Sequence, residues 1–234
     1  MLFLRSLVYN IILYTTLFVF SIKSKFLSEQ KMSKCLISTS KFLNSWLKLI
    51  CNLDYKIQNP NQKPKTPVIY AVKHESAWET FSLIDILAPN IFVLKKELTK
   101  IPLFGSALKK LQMIAVERNH SMKSMMNLIR DSKAVFENNK SLIIFPEGTR
   151  SKPKTLGKLS SGVYAIYNAN KIPVQPVFIN SGTFWPRKSF LKNPGTITVE
   201  FLDLIEPGMN KNDFMQKLEQ SFKNKLESTN EKNN

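Results

Sequence analysis

The chain reads as an α/β protein: a largely parallel sheet flanked by helices, preceded by an N-terminal hydrophobic and amphipathic helical membrane anchor. Three observations predict this. Apolar runs at residues 68–72, 91–94, 113–116 and 142–145 are each bounded by polar or turn-forming residues, and they alternate with longer segments of helical periodicity. Such alternation gives parallel strands covered by helices. Residues 6–22 carry no charge, which is long enough for a short spanning helix. The chain of 234 residues is 43% hydrophobic with 16 phenylalanines, so it holds a core and is not a disordered basic tail.

The N-terminal run is followed by Lys23 and Lys25 and shows no small-residue cleavage site, so an uncleaved anchor is expected rather than a signal peptide. A second helix is expected over residues 35–53. Lys34, Lys41 and Lys48 share one stripe, while Leu36, Leu43, Trp46, Leu47 and Ile50 gather on another side. That pattern fits a helix in the headgroup plane or one packed on the domain, with equal force. Pro60, Pro64 and Pro67 mark residues 59–67 as a linker. The resulting division is 1–58 for membrane-associated helices, 59–67 for the linker, 68–228 for the globular domain and 229–234 for a disordered tail.

Within the domain, Trp78, Phe81, Ile84 and Leu87 predict a helix over residues 76–87. Helices are also expected from Gly105 to Leu111 and over 121–137, 162–169 and 213–226. Residues 174–179 read as a strand interrupted by Pro176, and residues 196–204, with Ile197, Val199 and Phe201 alternating, as an edge strand. Met122, Met125 and Met126 are expected to fall on the core face of their helix rather than to form a ligand set. Cys35 and Cys51 form no metal-type pair and no disulfide framework, which fits free thiols on the reducing side of a membrane. No zinc set is present in two histidines and two distant cysteines.

The chemistry gathers at strand ends. His74 follows the first strand of the domain, with Glu79 five residues on. Residues five apart on a regular helix point about 140° apart, so the two meet only if His74 lies in the turn and Glu79 in the first helical turn. A carboxylate there holds the proton on one ring nitrogen and leaves the other as a base. Lys95 and Lys96, Glu117 and Arg118, and Glu147 and Arg150 close three further strands. In a parallel sheet such ends share one rim. Arg150, beside Gly148 and Thr149, suits bidentate binding of a phosphate, and Gly148 lets the backbone approach closely. No Gly-x-Ser-x-Gly elbow occurs, and Ser76 reads as a helix cap rather than a nucleophile.

Taken together, these blocks resemble the glycerolipid acyltransferase family, particularly its 1-acylglycerol-3-phosphate acyltransferases. The resemblance rests on His74-x4-Glu79, on Gly105 leading to Glu117-Arg118-Asn119, on Phe145-Pro146-Glu147-Gly148-Thr149-Arg150-Ser151, and on Ile172-Pro173-Val174-Gln175-Pro176-Val177. It covers residues 67–205 in the family's order. The third block is matched in full. Glu79 stands where the family usually has Asp, and Ser160 and Ser161 stand where a lysine is usual, with Lys158 two residues out of register. The resemblance implies the glycerolipid acyltransferase fold. It implies transfer of a fatty acyl group from acyl-CoA or acyl carrier protein, without a further cofactor, to the sn-2 hydroxyl of lysophosphatidic acid in phospholipid biosynthesis. It implies His74 as general base and Glu79 as its orienter. Lys96 and Arg118 are implied to join Arg150 on phosphate, and Glu147 to shape the acceptor site by bonding a glycerol hydroxyl or bracing Arg150.

Charge agrees with an anionic partner. Lys and Arg number 34 against 17 Asp and Glu, a formal charge of +17. Near an anionic membrane each cation contributes about 1 kcal/mol. A nucleic-acid binder would cluster its cations among aromatics, whereas these are spread along the chain, so membrane lipids rather than nucleic acid are the expected partners. The alternatives are the same chemistry on glycerol-3-phosphate or another lysolipid, and a silent lipid-binding protein. The catalytic domain is expected on the cytoplasmic side of the membrane.

Overall fold

The computed structural model describes residues 1–117 and 121–231. Among them, seven strands form one sheet: β1 (Leu53–Gln58), β2 (Ile69–Val72), β3 (Asn90–Lys95), β4 (Ile114–Val116), β5 (Ser141–Ile144), β6 (Val174–Ile179) and β7 (Gly195–Phe201). Their spatial order is β1-β7-β6-β2-β5-β3-β4. Neighbours are parallel throughout except β6 and β7. The helices are α1 (Leu2–Lys23), α2 (Glu29–Cys51), α3 (Glu79–Ile86), α4 (Phe104–Lys110), α5 (Met122–Glu137), α6 (Gly162–Asn170) and α7 (Lys211–Glu231).

The two-residue period of the strands sorts the core into two layers. Tyr70, Val72, Ile143, Val177 and Ile197 face α1, α2 and α3, meeting Leu43, Leu47, Phe81 and Leu83. Ile69, Ala71, Leu142, Ile144 and Val174 face α5, α6 and α7, meeting Leu128, Val163, Tyr167, Phe214 and Phe222. With both faces covered, β2, β5 and β6 are buried at every position, which is why they read as continuous apolar runs. Each fully buried Leu, Ile or Phe side chain contributes about 1.5–3 kcal/mol.

The structure corrects several expectations. A strand, β1, precedes the proline segment, so the sheet begins at Leu53 rather than after residue 67. Asn52 adopts φ 51 and ends α2 in the left-handed conformation, releasing Leu53 from the helix. Because β1 pairs with β7, β7 is an internal strand and not an edge. The α2 helix is packed on the domain: Met32, Leu43, Leu47 and Cys51 are buried, and Asn44 Oδ1 accepts from Trp78 Nε1 at 3.0 Å and from Ser82 Oγ at 2.8 Å. Its lysine stripe turns outward, with Lys48 2.7 Å from Asp54. The C-terminal helix runs to Glu231, past the expected start of a tail at 229. Of the three α5 methionines expected on the core face, only Met125 packs against the core, and Met122 and Met126 are exposed.

Pro176 is accommodated inside the sheet by its neighbour. Leu202 N donates to Pro176 O at 3.0 Å, but proline has no N–H to return the bond. The side-chain amide of Gln175 donates to Leu202 O instead. The reversal of β7 against β6 thus closes without leaving that carbonyl empty.

The α1 helix is long and apolar enough to cross a membrane, by length and composition. One face is packed on the domain through Tyr9, Leu13 and Phe20. The other exposes Phe3, Leu4, Ile11, Tyr14 and Phe18. Lys192, fully buried beneath α1, donates its backbone N–H to Ser6 Oγ at 3.0 Å and its ammonium to Asn10 Oδ1. The same ammonium lies 4.4 Å from the centroid of the Trp185 ring.

Candidate active site

The carboxyl ends of β2, β5, β3 and β4 lie side by side along one rim, since these four strands are contiguous and parallel. His74 leaves β2 in a turn, and α3 begins at Glu79 rather than at Ser76. The turn is closed from within. Ser76 Oγ accepts from Trp78 N at 3.1 Å, while the Glu79 carboxylate reaches back to Ser76 N at 2.9 Å. This back-bonding brings two residues five apart together: His74 Nδ1 lies 2.8 Å from Glu79 Oε2. The imidazole stacks on Phe145 at 3.9 Å between centroids. Glu79 is fully buried, whereas the His74 side chain keeps 13% exposure. The carboxylate is an acceptor, so it favours the proton on Nδ1 and leaves the Nε2 lone pair available.

The block from Phe145 to Ser151 follows β5 directly beside this turn. Gly148 N donates to Phe145 O at 2.9 Å, and Gly148 takes φ +65, a conformation that side chains resist, with open space where a Cβ would stand. Ser151 N donates to His74 O at 2.8 Å, so the arginine block is joined to the residue expected to act as base. Arg150 is half-buried, and among the described residues nothing bonds its guanidinium. Thr149 is exposed at the same turn. Arg187, which the sequence did not single out, donates to Arg150 O at 3.4 Å and adds a second guanidinium beside it.

A buried ionic cluster underlies both blocks. Lys73 is fully buried, with Nζ 2.8 Å from Ser151 Oγ, 3.0 Å from Glu75 and 3.8 Å from Glu147. Glu147 accepts from His74 N at 3.0 Å and from Gly157 N at 2.7 Å. Its carboxylate is therefore spent on protein donors, tying the His74 turn to the returning loop rather than bracing the Arg150 guanidinium. Glu75 accepts from Gly182 N at 3.0 Å. Burial, against the pull of Lys73 and Gly182, pushes the Glu75 carboxyl from 4.5 up to about 7.

This shift predicts a pH dependence of stability. The folded protein retains a proton on Glu75 that the unfolded chain has lost between pH 4.5 and about 7. The group's contribution is full below pH 4.5 and disappears as pH rises through about 7. Glu75→Gln should flatten this decline, read as the urea midpoint across that range.

The remaining expected residues fall as follows. Lys96 is exposed and pairs with Glu117, joining the ends of β3 and β4 on the same rim. Arg118, Asn119 and His120 lie outside the described residues. Lys158 is exposed. Besides Arg187, sequence reasoning passed over Lys73, Asn44 and Ser181. Ser181, fully buried after β6, donates its hydroxyl to Glu79 Oε1.

Comparison with known proteins adds to this geometry. Residues 54–180 match the family model described as Acyltransferase. A 1-acyl-sn-glycerol-3-phosphate acyltransferase of Pseudomonas aeruginosa is 34% identical over 165 residues, covering 70% of this chain and 63% of the relative. A protein of the same description from Saccharomyces cerevisiae is 29% identical over 163 residues, covering 68% of this chain and 54% of the relative. The chain thus spans less than two thirds of the length of these curated relatives. The crystal structure of a 1-acyl-sn-glycerophosphate acyltransferase from Thermotoga maritima superposes with a TM-score of 0.78 at 20% identity, covering 97% of this chain and 95% of that one, and shares its fold.

Proposed function

This chain belongs to the acyltransferase family, and on that premise we propose that it esterifies the sn-2 hydroxyl of 1-acylglycerol-3-phosphate, using acyl-CoA or acyl carrier protein as donor and giving phosphatidic acid. The observation that carries this reading is the 2.8 Å contact of His74 Nδ1 with a fully buried Glu79, joined through Ser151 to a turn that presents Arg150. His74 Nε2 takes the proton of the acceptor hydroxyl as its oxygen attacks the thioester carbonyl. The tetrahedral oxyanion collapses, the C–S bond breaks, and the imidazolium returns the proton to the departing thiolate. Every proton is accounted for, and no metal or additional cofactor takes part in the scheme.

Arg150 holds the acceptor phosphate with two parallel hydrogen bonds, which places the glycerol hydroxyl against the imidazole. Lys96 and Arg118 are read as further cations on that phosphate. Gly148 and Thr149 form the turn that brings the acceptor in, and Glu147 holds the turn in place from beneath.

The acceptor resides in a membrane, and we read α1 as the contact with it. Its exposed Phe3, Leu4, Ile11 and Phe18 suit insertion into the interface, while the packing of Tyr9 and Leu13 on the domain favours a helix lying in the bilayer surface over one crossing it. The catalytic domain then faces the cytoplasm, where acyl thioesters are held.

The test is purified protein in detergent with labelled acyl donors and a panel of acceptors. Transfer to lysophosphatidate but not to glycerol-3-phosphate or lysophosphatidylcholine is expected; transfer to none would overturn the reading. Arg150→Ala should raise KM for lysophosphatidate by roughly 10- to 100-fold, the size expected for a lost hydrogen bond to a charged group. It should leave any slow transfer to a phosphate-free monoacylglycerol unchanged.

A further inference from the structure

The segment from Ser181 to Lys192 belongs to none of the motif blocks, yet its first residue touches the catalytic pair. We propose that Ser181 is a positioning residue that completes a Ser181–Glu79–His74 relay, fixing the carboxylate so that His74 keeps its proton on Nδ1. The proposal rests on the acyltransferase reading above only for its activity arm.

A fully buried carboxylate needs donors for both oxygens. Glu79 Oε2 faces His74 Nδ1 at 2.8 Å and Ser76 N at 3.0 Å. Oε1 receives Ser76 N at 2.9 Å, Glu75 N at 3.3 Å and the Ser181 hydroxyl. Two of these three donors on Oε1 are backbone groups of the same turn and move with it. Ser181 comes from the end of β6, the strand next to β2, and is the one side-chain donor to Glu79 besides His74 among the described residues. Glutamate has one more rotatable bond than the aspartate usual here, so its carboxylate has more freedom to lose. A donor from a second strand fixes the orientation that the turn alone leaves open.

Ser181 is itself held firmly. Trp185 N and Phe184 N donate to its carbonyl at 2.8 and 3.1 Å. The next residue, Gly182, donates to Glu75 and has no room for a side chain, since a Cβ would stand 2.7 Å from Glu75 Cβ. Farther along, Trp185 packs edge-on against Tyr9 of α1, and Lys192 is sealed beneath the same helix. One short segment therefore reaches from the relay to the membrane-facing helix.

The test uses the full chain in detergent with ¹⁵N-labelled histidine. Only two histidines are present, so His120→Gln assigns the His74 ring signals. Wild type is expected to show the Nδ1–H tautomer at neutral pH, and Ser181→Ala a mixture of tautomers. In the activity arm, Ser181→Ala should lower kcat about tenfold with KM within about twofold, the scale seen when an outer partner of an oriented histidine is removed. Ser181→Thr, which keeps the hydroxyl, should restore the tautomer and most of kcat. If Ser181→Ala does not fold, Ser181→Cys, a weak donor of similar volume, is read the same way. An unchanged tautomer together with kcat within twofold of wild type overturns the proposal. A tautomer shift in a protein that transfers no acyl group would instead sustain the relay and count against the acyltransferase reading.

Discussion

His74→Ala is expected to lower kcat for acyl transfer by about 10²- to 10⁴-fold, the contribution usual for a positioned general base. The KM for the acceptor should change little, because in the proposed mechanism the imidazole acts as charge develops and Arg150 holds the phosphate. The variant should fold: His74 keeps 13% side-chain exposure, and its loss removes one stacking partner of Phe145 and one donor to Glu79. Glu79→Gln should fall in the same direction, since a carboxamide can donate to Nδ1 and favour the wrong tautomer. Steady-state rates with saturating acceptor check both. Wild-type turnover in His74→Ala would remove the imidazole from the mechanism.

Lys73→Met is the change with the largest expected effect on stability. Its ammonium is fully buried between Glu75, Glu147 and Ser151. Methionine fills a similar volume but leaves two buried carboxylates without their cation, a loss of about 3–5 kcal/mol. At 2–4 °C per kcal/mol this lowers Tm by roughly 10 °C. The loss should be smaller at pH 5 than at pH 8, because Glu75, already pushed up to about 7, becomes neutral in acid. The double variant Lys73→Met/Glu75→Gln should recover part of it. Equal losses at both pH values would show that the cost comes from packing rather than from unpaired charge.

How much of this was legible beforehand follows the distance between partners. The His74–Glu79 contact spans five residues, and its geometry could be reasoned from a turn and a helix start. The run from Phe145 to Ser151 is a local pattern, and so are the buried strands. Lys73 was unreadable because Glu147 and Ser151 reach it from another strand, 74 and 78 residues on. Ser181 meets Glu79 across 102 residues. The missing strand β1 did leave a signal: Leu53, Tyr55 and Ile57 alternate, and Asn52 is a residue that tolerates the left-handed cap. A helix carried through to Leu53, two residues past its end at Cys51, conceals it. That single omission also turned β7 into an apparent edge, since an internal strand is recognised only once both its neighbours are known.

The burial of Lys192 under α1 bears on how this protein can be handled. Cutting away the first 28 residues to obtain a water-soluble fragment would strip the lid from that ammonium and uncover Trp185, on which Tyr9 packs. The trimmed piece would carry an apolar seam where α1 had lain, so the first helix is part of the folded unit as well as its apolar outer face.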